Sequence, residues 1–436
     1  MKTKIVLLFL LGWVGMFFGQ DSIKTRKVDK IVNEIDRILS ILALKDCEYV
    51  TIARRGDPPL VSAYTFTQMV KKDFATLVTG SPDNNQVGKY AALSIDKTEQ
   101  SFSFSPITYV FNGDDGTKPF KHVLGINASG KLNSDGFFDF SNRKKFRIGG
   151  SWTCLWVSSY NYSPDNTKYI TIYEESKDII KLAVEKKIKK YTGLKIDTAD
   201  YKELYHQEVE KSENEVYKSY WTSKLLVWTK LDIGYAEDRL KIIDSAFVKS
   251  SVIDPIKENI NGGYGSFSIN FFRGLQNGFS FYFNTQISYL KKTSLSEAFS
   301  TAEWNKIQYA ANTDHTIYYN LEKDNVYITN LSTFEKRYKI DLSFQLLSFF
   351  PLWQKNLIGL DLSYQRNAFV TPGTKTFTSS KNILSVGIMF PFRDKDGNTT
   401  INIEPFWQTI SYNDYDLGKN ESFLGIKFGV PLNQLF

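Results

Sequence analysis

The chain is poor in the residues that most often carry chemistry. Its 436 residues include two cysteines, Cys47 and Cys154, and three histidines, His122, His206 and His315. Two cysteines make no disulfide framework, and neither belongs to the Cys-x-x-Cys pair that holds structural zinc. No histidine has a second one four residues on, so helical metal-site motifs are absent. The expectation is no metal and no cofactor. Apolar runs are short as well. The block Ile5–Phe18 spans 14 residues, whereas a polytopic helical membrane protein needs many runs of about 20. Excess charge of one sign is also small. The formal charge of +7 falls to 7 − 2 = +5 without Lys2 and Lys4. No face gathers the basic residues that a nucleic-acid groove requires.

Aromatic residues are abundant: 33 Phe, 25 Tyr and 8 Trp, or 15% of the chain. A soluble domain would have to bury most of them. Their placement in the sequence points elsewhere.

Residues 1–20 read as a secretory leader, with Lys2 and Lys4 ahead of the apolar block Ile5–Phe18 and polar sequence from Asp21 onward. Residues 21–86 form a separate element. Val28, Ile31, Val32, Ile35, Ile38, Leu39 and Leu42 recur at helical spacing. Phe66–Leu77 predicts a second helix, and the whole element is expected in the periplasm or as a plug.

From residue 87 to 436 the period becomes two. Phe279, Phe281, Phe283, Ile287 and Tyr289 alternate with Ser280, Asn284, Gln286 and Ser288. Tyr338, Ile340, Leu342, Phe344 and Leu346 alternate with Lys339, Asp341, Ser343 and Gln345, and similar ribbons continue to Val430. Successive side chains of a strand face opposite ways, so each ribbon has an apolar and a polar side. A Lys/Glu-rich stretch, about 165–218, breaks the pattern and predicts a helical insertion.

Half-apolar strands suit a soluble sandwich or a membrane barrel. Strand lengths of about 10–14 residues favour the barrel, because they cross a tilted path through a bilayer. Aromatics near strand ends, such as Tyr289, Tyr338, Phe350, Phe392 and Trp407, match interfacial girdles. Tight turns at 274–278, 351–355 and 394–398 alternate with longer connections at 236–262, 292–333, 369–380 and 413–421. The reading is all-β: a transmembrane antiparallel β-barrel of roughly 12 strands. Its first and last strands pair, since a bilayer offers no water to satisfy an open edge.

The chain ends Phe428-Gly429-Val430-Pro431-Leu432-Asn433-Gln434-Leu435-Phe436. A terminal phenylalanine on an alternating strand resembles the C-terminal signal of Gram-negative outer-membrane β-barrels. That resemblance implies an outer-membrane location, contact with lipid and with the barrel-insertion machinery, and recognition through Phe428, Val430 and Phe436. Other envelope proteins are possible partners. Function does not follow from it, because barrels of this class host porins, enzymes, receptors and secretion parts.

Alternation also assigns the lumen. Its expected lining is Lys224, Lys230, Asp232, Lys339, Asp341, Asp361, Gln365, Glu404 and Lys427, with Gln345 and Gln408 beside them. In a narrow barrel such groups pair and fill the interior; in a wider one they line water. The leading functional expectation is a channel or transporter for small solutes. The alternative is a structural or interaction subunit of an outer-membrane assembly. An outer-membrane hydrolase is third, and the chain is not expected to be an enzyme. Asp314-His315 lies in a polar loop, His206 sits in the helical insertion, and the odd spacing of His122 and Ser129 places them on opposite faces of a strand. Cys154 shares the apolar face of Trp152 and Trp156 and acts there as a small apolar residue.

Overall fold

The computed structural model describes residues 63–79, 86–95, 100–111, 121–132, 145–162, 207, 210–211, 221–244, 255–275, 277–293, 302–311, 317–329, 336–352, 357–370, 377–394, 398–412 and 421–432. They form helix α1 (Ala63–Thr76), then β1 (Tyr90–Ile95), β2 (Gln100–Phe111), β3 (His122–Lys131), β4 (Lys145–Tyr162), β5 (Trp221–Asp244), β6 (Ile256–Leu275) and β7 (Ser280–Thr293). After these come β8 (Ala302–Ala311), β9 (Ile317–Thr329), β10 (Lys336–Pro351), β11 (Leu357–Val370), β12 (Phe377–Arg393), β13 (Thr399–Tyr412) and β14 (Glu421–Pro431).

Twelve strands close into one antiparallel ring, in the order β1 to β7 and then β10 to β14. The seam runs from Tyr90 opposite Pro431 to Ile95 opposite Ile426, and β4 joins β5 along its length. The ring therefore has no unpaired edge, which is the condition for a sheet in hydrocarbon. The fold is a transmembrane β-barrel of twelve strands.

The alternation runs the right way round. Phe283, Ile287, Leu342, Phe344, Leu360, Leu384 and Ile426 are exposed on the outside. Their neighbours Asn284, Gln286, Gln345, Asp361, Ser385 and Lys427 are buried inside. Aromatic rings gather near both rims. Phe279 lies 5.4 Å from Phe350, and Phe271 stacks on Phe281 at 5.5 Å. Toward the other rim, Tyr289 stacks on Tyr338 at 5.3 Å.

The start of β1 and the end of β14 share one rim, the near rim. Strand direction puts the ends of β2, β4, β6, β10 and β12 at that rim too, and the ends of β3, β5, β7, β11 and β13 at the far rim. At the near rim, Leu275 N–H donates to Phe279 O and Gly278 N–H to Leu275 O. Gly278 has φ +89°, a value that costs glycine little and other residues more.

Two expectations about the long connections need correction. Residues 236–262 are not one loop, since β5 continues to Asp244 and β6 starts at Ile256. The charges Glu237, Asp238 and Arg239 obscured the alternation. The strands pass them by pairing Glu237 with Arg239 at 2.8 Å and Asn259 at 2.9 Å. Likewise 292–333 contains the hairpin β8–β9, whose second strand lies parallel to β5 from Ile242–Tyr327 to Asp244–Thr329. The second helix is α1, close to its expected place. Of the insertion near 165–218, Gln207, Glu210 and Lys211 are helical. The helix expected at 28–42, Cys47, His206, Asp314-His315 and Phe436 lie outside the described residues.

One close approach locks β4 to β5. Gly149 pairs with Gly234, and the Tyr264 ring covers both. A methyl group on Gly149 would run into the Ile233 carbonyl oxygen and, at 2.5 Å, the Tyr264 hydroxyl; one on Gly234 would run into the Ile148 carbonyl oxygen, the Gly149 Cα at 2.6 Å and Cε1 of the Tyr264 ring at 2.7 Å. Gly234→Ala should therefore lower unfolding stability in detergent by about 1–3 kcal/mol, the usual cost of overpacking. Gly150→Ala, whose methyl would sit 3.6 Å from the Gly125 carbonyl oxygen, should change it little. Equal effects would show that the close approach of β4 to β5 at this pair plays no part.

Candidate functional site

The lumen sorts its polar residues into two groups. The first joins β3, β5, β6, β7 and β10. Lys230, 4% exposed, pairs with Asp232 at 3.2 Å, and Lys339 pairs with Asp341 at 2.9 Å. Asn127 Nδ2 donates to Asp232 Oδ1 (3.1 Å), Ser266 to Asp232 Oδ2 (3.2 Å) and Ser288 to Asp341 Oδ2 (3.4 Å). Between them is a cavity of about 50 Å³, also lined by Arg147 and Tyr264. That is room for a few waters.

The second group joins β10, β11, β13 and β14. Lys427 Nζ lies 2.7 Å from Glu404 Oε1 and 3.9 Å from Asp361 Oδ2. Gln345 Nε2 donates to both Asp361 oxygens, at 3.0 and 2.9 Å. Gln365 lies four residues farther along β11, half-buried on the inward side. Lys224 belongs to neither group: it pairs with Asp73 of α1.

The near-rim end of the lumen differs in kind, and alternation did not reveal it. Leu226 and Trp228 (β5), Phe272 (β6), Tyr282 (β7), Leu347 and Phe349 (β10) and Met389 (β12) are all buried there. The sequence does carry a signal. Leu225-Leu226-Val227-Trp228, Phe271-Phe272, Phe281-Tyr282-Phe283, Leu346-Leu347 and Phe349-Phe350 are apolar on both faces. A strand that is greasy on both sides has something apolar inside the barrel as well as lipid outside.

The apolar partner is α1. Phe74 meets Trp228 edge-on at 4.9 Å, and Val70 and Phe74 are buried. Across the lumen, Asn402 of β13 donates through Nδ2 to the carbonyls of Thr76 (3.2 Å) and Val78 (2.7 Å). Those carbonyls lie at the helix C-terminus, where no intrahelical partner exists. Thr76 also contacts Thr399 at 3.3 Å. β5 and β13 stand six places apart in the ring of twelve, so α1 touches opposite walls. Its charged residues resist the site: burial pushes Lys71 down to about 8, partly opposed by Glu210. Burial pushes Asp73 up, partly opposed by Lys224 and more weakly by Arg393 and Lys72.

On the outside, Trp152 Nε1–H donates to His122 Nδ1 at 3.3 Å, while Ser129 lines the interior cavity. His122 and Ser129 thus lie on opposite sides of the wall. Cys154 is free and half-buried beside them. Phe428 and Val430 are half-buried on the outer side of β14.

No protein-family model matches the chain, and no curated protein matches it in sequence. Among solved structures it is similar to the β-domain of the Bordetella autotransporter BrkA, at 7% identity, covering 79% of this chain and 98% of that one with a TM-score of 0.30. It is also similar to the transport unit of the Escherichia coli autotransporter AIDA-I, at 8% identity, 85% and 98% coverage and a TM-score of 0.28. A third is the monoaromatic hydrocarbon channel CymD, at 10% identity, 80% and 90% coverage and a TM-score of 0.27.

Proposed function

We propose that the chain is an outer-membrane channel for small polar solutes, held shut in this state by its own helix α1 acting as a plug. The observation that carries this reading is the contact of α1 with opposite walls, through Phe74 on Trp228 and Asn402 on the helix C-terminus. A lumen sealed by a separate helix can be opened by moving one element, whereas one sealed by strand side chains requires the wall itself to repack. Beyond the plug, the inward charges of Lys230, Asp232, Lys339 and Asp341 favour polar over apolar passengers. Export through the leader at 1–20, insertion by the barrel machinery through Phe428, Val430 and Phe436, and a periplasmic near rim complete the proposal.

A second reading, an interaction subunit of an envelope assembly, has its own support. β5 and β6 have 24 and 20 residues, about twice what crossing requires, and β9 extends their far end. Planar-bilayer recording separates the two. The mature chain should be nearly silent, and removal of residues 21–86 should give steady conductance at least tenfold higher. A truncated barrel that stays folded and silent removes the channel and leaves the anchor.

A further inference from the structure

The second luminal group does not balance. Glu404 (1% exposed) and Asp361 (2%) are two carboxyls beside one ammonium, that of Lys427 (9%). Each strand facing Glu404 can be accounted for among the described residues. β14 presents Lys427, β11 presents Asp361, β10 adds the neutral Gln345, and β12 offers Gly387, on which a methyl would meet Glu404 Oε1 at 2.5 Å. No second cation appears among these neighbours. With both carboxyls ionised the cluster would carry one uncompensated negative charge out of reach of water, a cost of several kcal/mol.

The geometry marks where compensation is needed. Lys427 approaches Oε1 of Glu404, and Oε2 is buried without a hydrogen-bond donor among the described residues. Asp361 Oδ2 lies 3.9 Å from the same Lys427 Nζ that meets Glu404 Oε1 at 2.7 Å, so the two carboxyls converge on one ammonium. Two ionised carboxylates so placed repel. Two carboxyls with one proton between them attract, because one becomes a donor.

We propose that the barrel interior binds one proton at neutral pH, shared between the carboxyl groups of Glu404 and Asp361 beside Lys427. The cluster is then neutral, Oε2 is no longer an orphan, and β10, β11, β13 and β14 are tied by one complete network. The site stands whether or not the barrel conducts.

Infrared spectroscopy of the full mature chain in detergent at pH 7 tests this. The expected result is a protonated-carboxyl C=O stretch that shifts down in D2O and moves when only glutamate is 13C-labelled. Glu404→Gln should abolish the glutamate-sensitive band. Asp361→Asn should abolish it too, because Glu404 and Lys427 then balance without a proton. Lys427→Met should double the carboxyl intensity. Lack of a glutamate-sensitive band in the unmutated protein overturns the proposal without needing any variant to fold. So does its persistence in Glu404→Gln or Asp361→Asn. So does a melting temperature that rises with sodium at fixed ionic strength in the absence of the band, since a cation would then occupy the site.

Discussion

Replacing Trp228 by alanine is expected to cost the barrel about 3–5 kcal/mol, the range for losing a large buried aromatic, and to loosen α1 at the same time. Trp228 is fully buried and holds two elements together. Its ring takes Phe74 edge-on from α1 at 4.9 Å and lies 5.8 Å from Tyr282 of β7, nearly parallel to it. Tyr282 in turn donates to Asn270 Oδ1 at 2.7 Å, which also receives Asn284 Nδ2 at 2.9 Å. Alanine would empty the socket under Phe74 and leave that polar set without its cover. Denaturant unfolding in detergent should show the loss, and bilayer recordings should show brief openings absent from the parent. Trp228→Phe separates packing from hydrogen bonding. The indole Nε1–H has no acceptor among the described residues, so phenylalanine keeps most of the ring contact and removes a buried orphan donor. It should cost well under half of the alanine effect. If alanine is as mild as phenylalanine, Trp228 does not seat the helix.

Phe344→Lys is the second large effect, and it tests which medium surrounds the barrel. Phe344 is 39% exposed in the middle of β10, opposite Thr285 and Tyr364. A lysine at the bilayer midplane costs about 2–4 kcal/mol, falling to about 0–1 near the interface. Tyr338→Lys, six residues nearer the far rim on the same face, should therefore be several-fold milder. Unfolding titrations in lipid vesicles measure both. Were the outer face bathed in water, a lysine there would be tolerated at either depth, and equal small effects would refute the membrane assignment.

Much of the fold was legible because a bilayer imposes a simple code. Strands must be apolar outside and can be polar inside, so Phe281, Phe283, Leu342 and Leu360 declared their side with no homologue for comparison. The inward charges followed from the same parity, and Lys230, Asp232, Lys339, Asp341, Asp361, Glu404 and Lys427 are all on the interior side. The code fails where its premise does. Beyond the membrane, Glu237, Asp238 and Arg239 no longer need to alternate, so the sequence there has the character of a loop although β5 and β6 run on to Asp244 and from Ile256. Between Thr293 and Lys336 a hairpin adds to the sheet end without crossing anything, so no bilayer pattern marks it. At the near rim the interior is not water-filled, so the paired apolar residues around Trp228 and Phe349 do not alternate, and nothing local in them names the helix that covers them.

By itself, then, the order of residues determined an all-β chain with one greasy side per strand, closed on itself, and a list of charges turned inward. Tertiary structure alone decided which of those charges meet and what stops the lumen. Parity says only which way a side chain points. Whether Lys427 sits between two carboxyls, or α1 spans from β5 to β13, depends on the stagger of strands around the ring. That stagger is set by many backbone pairings acting together, and no local pattern encodes it.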